Sequence, residues 1–287
     1  MKKIKYFFEF LIIFIFLLIF KIAGYRVASN LGNSIGKVVG PRFRSKKVII
    51  DNIKKFKPEI KEDEINKIVE KMWGNYGRIL AEYVYIPEFR KRRLDNYIKI
   101  EGLENLKKIK NSGKPTVFIS GHFNNFELMA MVIEREGVDL SAVYRPLNNK
   151  FLNILMEYLR KNYICKNQIK KGLNGVREAL KYFKSGKSLA IMIDQRVSEG
   201  INSKLFGKNA LTTTIPAQFV KKFGCVIQPV YIQRNEGIYF EVFFDEHLSF
   251  DKSESVENIT NKLNHWLEEK IAKNPAQWIW SHNRWKL

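Results

Sequence analysis

Cysteine is almost absent from this chain. Cys165 and Cys225 are the only two in 287 residues, and their spacing matches neither a disulfide framework nor a zinc site. Buried or free thiols in a reducing compartment follow as the default. No other cluster of His, Cys and acidic residues suggests a metal, and no glycine-rich phosphate loop supports nucleotide hydrolysis. Internal repeats and low-complexity segments are missing as well. Acidic residues are scarce: 29 Asp and Glu stand against 50 Lys and Arg, a net charge of +21. Such a balance predicts an anionic partner, whether a membrane surface, a nucleic acid or an acidic protein. Nucleic acid has the least support, because no binding motif appears and the aromatics are mostly placed for cores.

The excess charge is concentrated at one end. Residues 1–60 hold 13 Lys and Arg against Glu9, Asp51 and Glu59, beside the most apolar run of the chain, Tyr6 to Phe20. Basic residues flanking an apolar segment are the pattern of a membrane-contacting end. The run has 15 residues, short of the roughly 20 that span a bilayer, although Ile22 to Tyr25 could extend it past Lys21. A cleaved signal peptide is the competing reading, but no convincing small-residue cleavage site follows. A retained anchor, spanning the bilayer or lying in its interface, fits better. A buried core helix fits less well, because the segment is apolar all round.

A helix-rich stretch follows to about residue 95, including Glu62 to Val84 with Trp73, Tyr76, Ile79, Leu80 and Tyr83 at helical spacing. Strand and helix patterns then alternate to about Phe244, as in an α/β domain. Helices are predicted over Asn148 to Tyr163, Gly172 to Lys184 and Val256 to Ala272. Arg196 to Leu211 reads as a loop long enough to be a lid or a binding loop. Thr212-Thr213-Thr214 before Ile215-Pro216 signals a helix start with a hydroxyl cap. Val226 to Gln233 and Ile238 to Phe244 form a hairpin around Asn235-Glu236-Gly237.

The chemistry concentrates in Ser120-Gly121-His122-Phe123-Asn124-Asn125-Phe126-Glu127. A buried strand, Thr116 to Ile119, runs into this block, and an apolar helix leaves it and ends near Gly137. On a straight helix a spacing of five turns through about 500°, leaving His122 and Glu127 about 140° apart. They meet only if the chain bends between them. A carboxylate that accepts from one imidazole nitrogen frees the other as a general base, an arrangement suited to deprotonating a hydroxyl. No Gly-x-Ser-x-Gly elbow or reactive-looking cysteine lies nearby, which favours direct transfer over a covalent intermediate. A lone His with a nearby Glu is common, however, and carries little weight without its context.

That context is a series of polar residues at predicted strand ends, where open α/β sheets gather their sites. Val143-Tyr144-Arg145-Pro146 closes one segment, Ala190 to Asp194-Gln195 another, and Val226 to Tyr231, with Pro229, a third. The tail reads Pro275-Ala276-Gln277-Trp278-Ile279-Trp280-Ser281-His282-Asn283-Arg284-Trp285-Lys286. Taken in order, these blocks resemble the lipid A biosynthesis lauroyl/myristoyl acyltransferases of the lysophospholipid acyltransferase superfamily, over nearly the whole chain. The histidine–acid block is weakly specific alone and strongly specific in this company.

The resemblance implies an α/β fold: a mixed sheet flanked by helices, glycerol-3-phosphate acyltransferase-like, with an N-terminal membrane-anchor helix. It implies an anchor at 1–25, a basic helix-rich region at 26–95 and a catalytic domain at 96–287. His122 would be the general base and Glu127 its orienting partner. Arg145 would contact an acidic part of the substrate or the oxyanion, and Asn125 the substrate. Asp194 and Gln195 would either contact substrate or brace the site, while Pro229 would shape a strand end. His247, His265 and His282 lack comparable context and read as packing or surface residues. The donor would be acyl carrier protein and the acceptor a lipid A precursor, at the cytoplasmic face of a bacterial inner membrane. Neither cofactor nor metal is called for. The rival readings are the same chemistry on another glycolipid or amino-acid lipid, with acyl-coenzyme A as an alternative donor, and a non-enzymatic basic module on membranes or nucleic acid.

Overall fold

The computed structural model describes residues 2–286, so Met1 and Leu287, the outermost residues of the expected anchor and catalytic domain, lie outside the described residues. Five helices come first: α1 (Lys2–Ala23), α2 (Tyr25–Val39), α3 (Lys46–Phe56), α4 (Glu62–Glu82) and α5 (Ile86–Arg90). Strands and helices then alternate through β1 (Ile98–Glu101), α6 (Leu103–Ser112), β2 (Val117–Ser120), α7 (Glu127–Arg135), β3 (Leu140–Tyr144), α8 (Lys150–Leu159), β4 (Asn167–Lys170), α9 (Leu173–Lys184) and β5 (Ser188–Met192). The chain closes with β6 (Ile201–Leu205), β7 (Lys208–Thr212), α10 (Ile215–Phe223), β8 (Ile227–Asn235), β9 (Tyr239–Phe244) and α11 (Val256–Lys273).

Seven strands form one mixed sheet in the order β1-β9-β8-β2-β5-β3-β4. Every neighbouring pair is parallel except β8 with β9, the expected hairpin, whose turn places Glu236 and Gly237 at positive φ. All four residues of β2 are buried, as expected of a central strand covered by helices on both faces. The parallel strands β8, β2, β5 and β3 therefore present their carboxyl ends along one edge, and the site gathers there. Pro229 sits within β8 rather than at its end.

The predicted lid at Arg196 to Leu211 is instead largely a second, two-stranded sheet of β6 and β7. Phe206 and Gly207, both at positive φ, make its two-residue turn, a geometry that matches strand twist. The alternation was hidden because the inward positions include Ser203, bonded to Asn261 and Asn264 of α11, rather than an apolar residue. The helix expected after Thr214 does begin at Ile215; the Thr213 hydroxyl accepts from the Ile215 N–H at 3.3 Å, while the Thr214 side chain accepts from Gln218.

Two features bind the N-terminal helices to this sheet. The first is a seam of glycines, Gly32 and Gly36 on α2 against Gly74 and Gly77 on α4. A methyl group at Gly77 would strike the backbone of Gly32, so the two helices approach closer than any side chain permits. The second is a fully buried ion pair. Glu82, at the end of α4, receives Arg234 of β8 at 2.5 and 3.0 Å, Ser29 of α2 at 2.8 Å and Asn125 at 3.1 Å. Breaking such a pair from one side leaves a charge stranded in the core, at a cost of about 3–5 kcal/mol.

Helix α1 lies along the domain rather than leaving it. Near its start Asn149 donates to the Tyr6 carbonyl at 2.8 Å and Phe151 packs edge-on against Phe7. Near its end Tyr85 donates to the Phe20 carbonyl at 2.6 Å, and Lys21 pairs with Glu88 at 2.9 Å. Ile4, Phe8, Ile12, Ile15, Ile19 and Ile22 form an exposed stripe on its outer face, at the three- and four-residue spacing of a helix. Exposed Ile154 and Tyr158 extend apolar surface onto α8, which buries none of its own residues.

Gly77→Ala tests the seam: overpacking of this kind typically costs about 1–3 kcal/mol. Thermal unfolding in detergent should show a lowered Tm, and a Tm equal to that of the wild type would mean the helices can part without loss.

Candidate active site

The site is built on the turn between β2 and α7. Ser120 ends the strand, and Gly121 leaves no room for a side chain between the Phe123 ring, Leu267 and the Asp194 carboxylate. Asn124 then adopts a left-handed conformation, φ 44°, which asparagine tolerates better than most residues. Its N–H donates to the Gln277 carbonyl at 3.2 Å, and its Nδ2 donates to Gln277 Oε1 at 2.6 Å and to the Ile232 carbonyl at 3.1 Å. The chain therefore bends between His122 and Glu127, fastened by the C-terminal tail.

The bend does not bring His122 and Glu127 together. His122 Nδ1 lies 2.7 Å from Asp194 Oδ1, and the His122 backbone N–H donates to Asp194 Oδ2 at 2.7 Å. Trp278 Nε1 donates to the same Oδ2 at 2.9 Å. Asp194 is fully buried, two residues past the end of β5. Burial alone would push its pKa up, but the charge and hydrogen bonds of His122, with the Trp278 N–H, outweigh it and hold the carboxyl below its usual range. An ionised carboxylate can only accept, so Nδ1 carries the proton and Nε2 is left with its lone pair. Gln195 Nε2 stands 3.4 Å from that nitrogen.

Glu127 faces another way. It accepts from Arg160 Nε at 2.9 Å and from the Tyr83 hydroxyl, in a cluster where Arg160 also lies over the Tyr144 ring. Arg160 opens a π-helical turn, Arg160–Ile164, at the end of α8. The expected His122–Glu127 pair is corrected accordingly: the carboxylate that meets His122 comes from just past β5, the strand paired beside β2, and Glu127 is committed to the guanidinium. Asn125 is corrected too. It is sealed from solvent and donates to Glu82 beneath the turn, outside the lining of the adjoining cavity.

His122 opens into a cavity of about 460 Å³. Its inner wall is apolar, with Phe118, Ile119, Met129, Ile133, Ala142 and Ile191 running between β2, β3, β5 and α7. Polar residues gather elsewhere on its wall: Arg145, exposed just past β3, together with Lys171, Gln195 and His282. Of the sequence-derived residues, His122, Glu127, Arg145 and Gln195 line this space, whereas Asp194 stands behind His122. Among the described residues no cluster of three or more His, Cys, Asp or Glu has the geometry of a metal site.

His282 is the residue that sequence reasoning passed over. It reads locally as one more aromatic-tail residue; only its position in the Trp-x-Trp-x-His tail singles it out. Asn52, fully buried on α3, fixes that tail by donating to the carbonyls of Trp280 at 2.8 Å and His282 at 2.7 Å. His265 is exposed beside Glu268 and Glu269 and His247 is exposed, as expected.

Known proteins resemble this chain. The family described as bacterial lipid A biosynthesis acyltransferase matches residues 1–287. Similar proteins include the lipid A biosynthesis lauroyltransferase of Escherichia coli K12, 25% identical over 270 residues, which cover 91% of this chain and 86% of that one. The lipid A biosynthesis palmitoleoyltransferase of the same organism is 22% identical over equal shares of both chains. A solved structure, the 1-acyl-sn-glycerophosphate acyltransferase PlsC of Thermotoga maritima, aligns with 95% of this chain and 97% of its own at 16% identity and a TM-score of 0.41. With the family matched from end to end, the chain belongs to the bacterial lipid A biosynthesis acyltransferases.

Proposed function

We propose that this protein transfers a fatty acyl chain directly from acyl carrier protein to a hydroxyl of a lipid A precursor, with His122 as general base. The observation that carries the reading is the His122–Asp194 pair, which engages Nδ1 with a buried carboxylate and leaves Nε2 free of it at an apolar cavity. Nε2 takes the proton of the acceptor hydroxyl as its oxygen attacks the thioester carbonyl, and Asp194 stabilises the imidazolium that forms. Collapse of the tetrahedral intermediate restores the carbonyl, breaks the C–S bond and returns the proton to the departing thiolate. The apolar wall suits the acyl chain. Arg145 and Lys171 suit phosphate or the acidic carrier, in keeping with the net charge of +21. The relatives' names support both an acyl group and a lipid A acceptor.

The enzyme works at a membrane face, and we place it at the cytoplasmic side of the inner membrane, where the carrier protein and reduced thiols are found. Contacts from Tyr6 to Lys21 hold α1 against the domain, roughly 20 Å of helix at 1.5 Å per residue. A transverse span would drag α8 into hydrocarbon with it. An in-plane helix, with the Ile4 to Ile22 stripe in the acyl region and Lys2, Lys3 and Lys5 among headgroups, needs no such displacement.

Transfer from labelled acyl carrier protein to a Kdo-modified tetraacyl lipid A precursor tests the reading. His122→Ala should lower kcat by about 10²- to 10⁴-fold. Asp194→Asn should fall comparably, because the amide no longer enforces the Nδ1–H tautomer. Glu127→Gln should act first on stability, by stranding Arg160, and leave the folded fraction more active than Asp194→Asn; a fully active Asp194→Asn would sink the pair. Trp278→Phe removes one N–H from the carboxylate. A hydrogen bond to a charged group contributes about 1.5–3 kcal/mol, so kcat should drop by roughly tenfold or more, and an unchanged kcat would show that His122 alone holds Asp194.

A further inference from the structure

We propose that His282 is a second catalytic imidazole, its Nδ1–H donating a hydrogen bond to the oxyanion that develops on the thioester carbonyl. The inference rests on the acyl-transfer reading above and assigns a donor that the reading leaves open. His282 lines the same cavity as His122, although 160 positions separate them in the chain.

Its tautomer is set by the backbone. The Arg196 N–H donates to His282 Nε2 at 3.0 Å, and an amide N–H cannot accept, so Nε2 keeps its lone pair and the proton sits on Nδ1. Nδ1 meets no acceptor in the protein among the described residues, and it is not one of the polar atoms sealed without a partner in the interior. Its N–H is therefore available to whatever fills the cavity. Burial, with smaller contributions from the positive charges of His122, Arg284 and Lys171, lowers the His282 pKa to about 4 against the pull of Asp194. The ring is then a neutral donor at working pH. A charged ring there would disfavour the imidazolium that His122 must become.

The donor is also rigid. Asn52 holds the His282 carbonyl at 2.7 Å, and the next turn is pinned by Arg284, which donates to the Leu211 carbonyl at 2.7 Å and Thr212 Oγ1 at 2.6 Å. A preorganised donor stabilises developing charge without reorganising at the moment of reaction. The other candidates are less well placed. Gln195 Nε2 is turned toward His122 Nε2, Arg145 is solvated at the surface, and the unpaired Nη1 of Arg160 is sealed in the wall. No proton leaves His282 in the cycle. The hydroxyl proton goes to His122 Nε2 and the carbonyl π electrons go to the oxygen facing His282; when the C–S bond breaks, the electron pair re-forms the carbonyl and the proton passes on to the departing thiolate.

Steady-state transfer by wild type, His282→Ala and His282→Asn tests the assignment. Losing one oxyanion donor typically costs about 10²- to 10³-fold in kcat, so the alanine variant should fall that far with KM within about threefold. The asparagine Nδ2 overlies the Nδ1 position and should recover at least about tenfold of the loss. Both variants forfeit the Arg196 contact, so a purely structural role would impair them equally. Equal impairment, or an alanine variant within about threefold of wild type, would overturn the proposal. Nitrogen-15 histidine spectra of the wild-type protein in detergent need no substrate: a neutral Nδ1–H ring at pH 7 is expected, and an Nε2–H ring or an imidazolium overturns the geometry. Failure of the wild type to acylate the lipid A precursor, with the expected spectrum intact, would overturn the acceptor assignment and leave the His282 geometry standing.

Discussion

The buried carboxylate of Asp194 is the constraint around which the site is arranged. A bare carboxylate in a protein interior costs several kcal/mol, and it persists only where donors replace its lost water. Here three donors converge on it from two places far apart in the chain: the backbone and ring of His122, and the indole of Trp278. Each of those groups is thereby positioned in turn. The ring is held in one tautomer, the β2–α7 turn is drawn toward the end of β5, and the tail is drawn across both. The aromatic tail acts as the clasp of the site, with Gln277 on Asn124, Trp278 on Asp194 and His282 at the cavity wall.

A second buried charge does the corresponding work beneath the turn. Glu82 gathers α2, α4, β8 and Asn125 into one set of hydrogen bonds, and the glycine seam lets α2 and α4 approach closely enough for that to happen. The helices that carry the apolar stripe of α1 are thus coupled rigidly to the turn that carries His122. In the acyl-transfer reading, the lipid-facing surface and the reacting atoms belong to a single framework rather than to an anchor and a tethered domain.

Much of this was legible locally. The β-branched and aromatic run before Gly121 marks β2, and the apolar periodicity after Phe126 marks α7. The polar residues at strand ends, Arg145 and Gln195, do reach one cavity. What could not be read is the choice of partner. Whether His122 meets Glu127 or Asp194 depends on β5 lying beside β2 in the register Ser120 to Met192, a pairing that no local pattern encodes. The β6–β7 hairpin escaped because polar Ser203 occupies an inward position, and His282 escaped because its context comes from Arg196 and Asn52, distant in sequence.

The same long separations set the order in which the molecule becomes competent. Val117 pairs with Ile227, His122 with Asp194 and Asn124 with Gln277, so three of the pairings that shape the turn close loops of more than seventy residues. Such contacts form late, since the entropy of closing long loops is lost before they repay it. The bonds that join α1, α2 and α4 close shorter loops, 53 residues from Ser29 to Glu82 and 65 from Phe20 to Tyr85, and they do not by themselves hold a poised imidazole. The surface suited to the membrane can therefore exist before the active site does, and catalytic competence marks the completion of the whole fold.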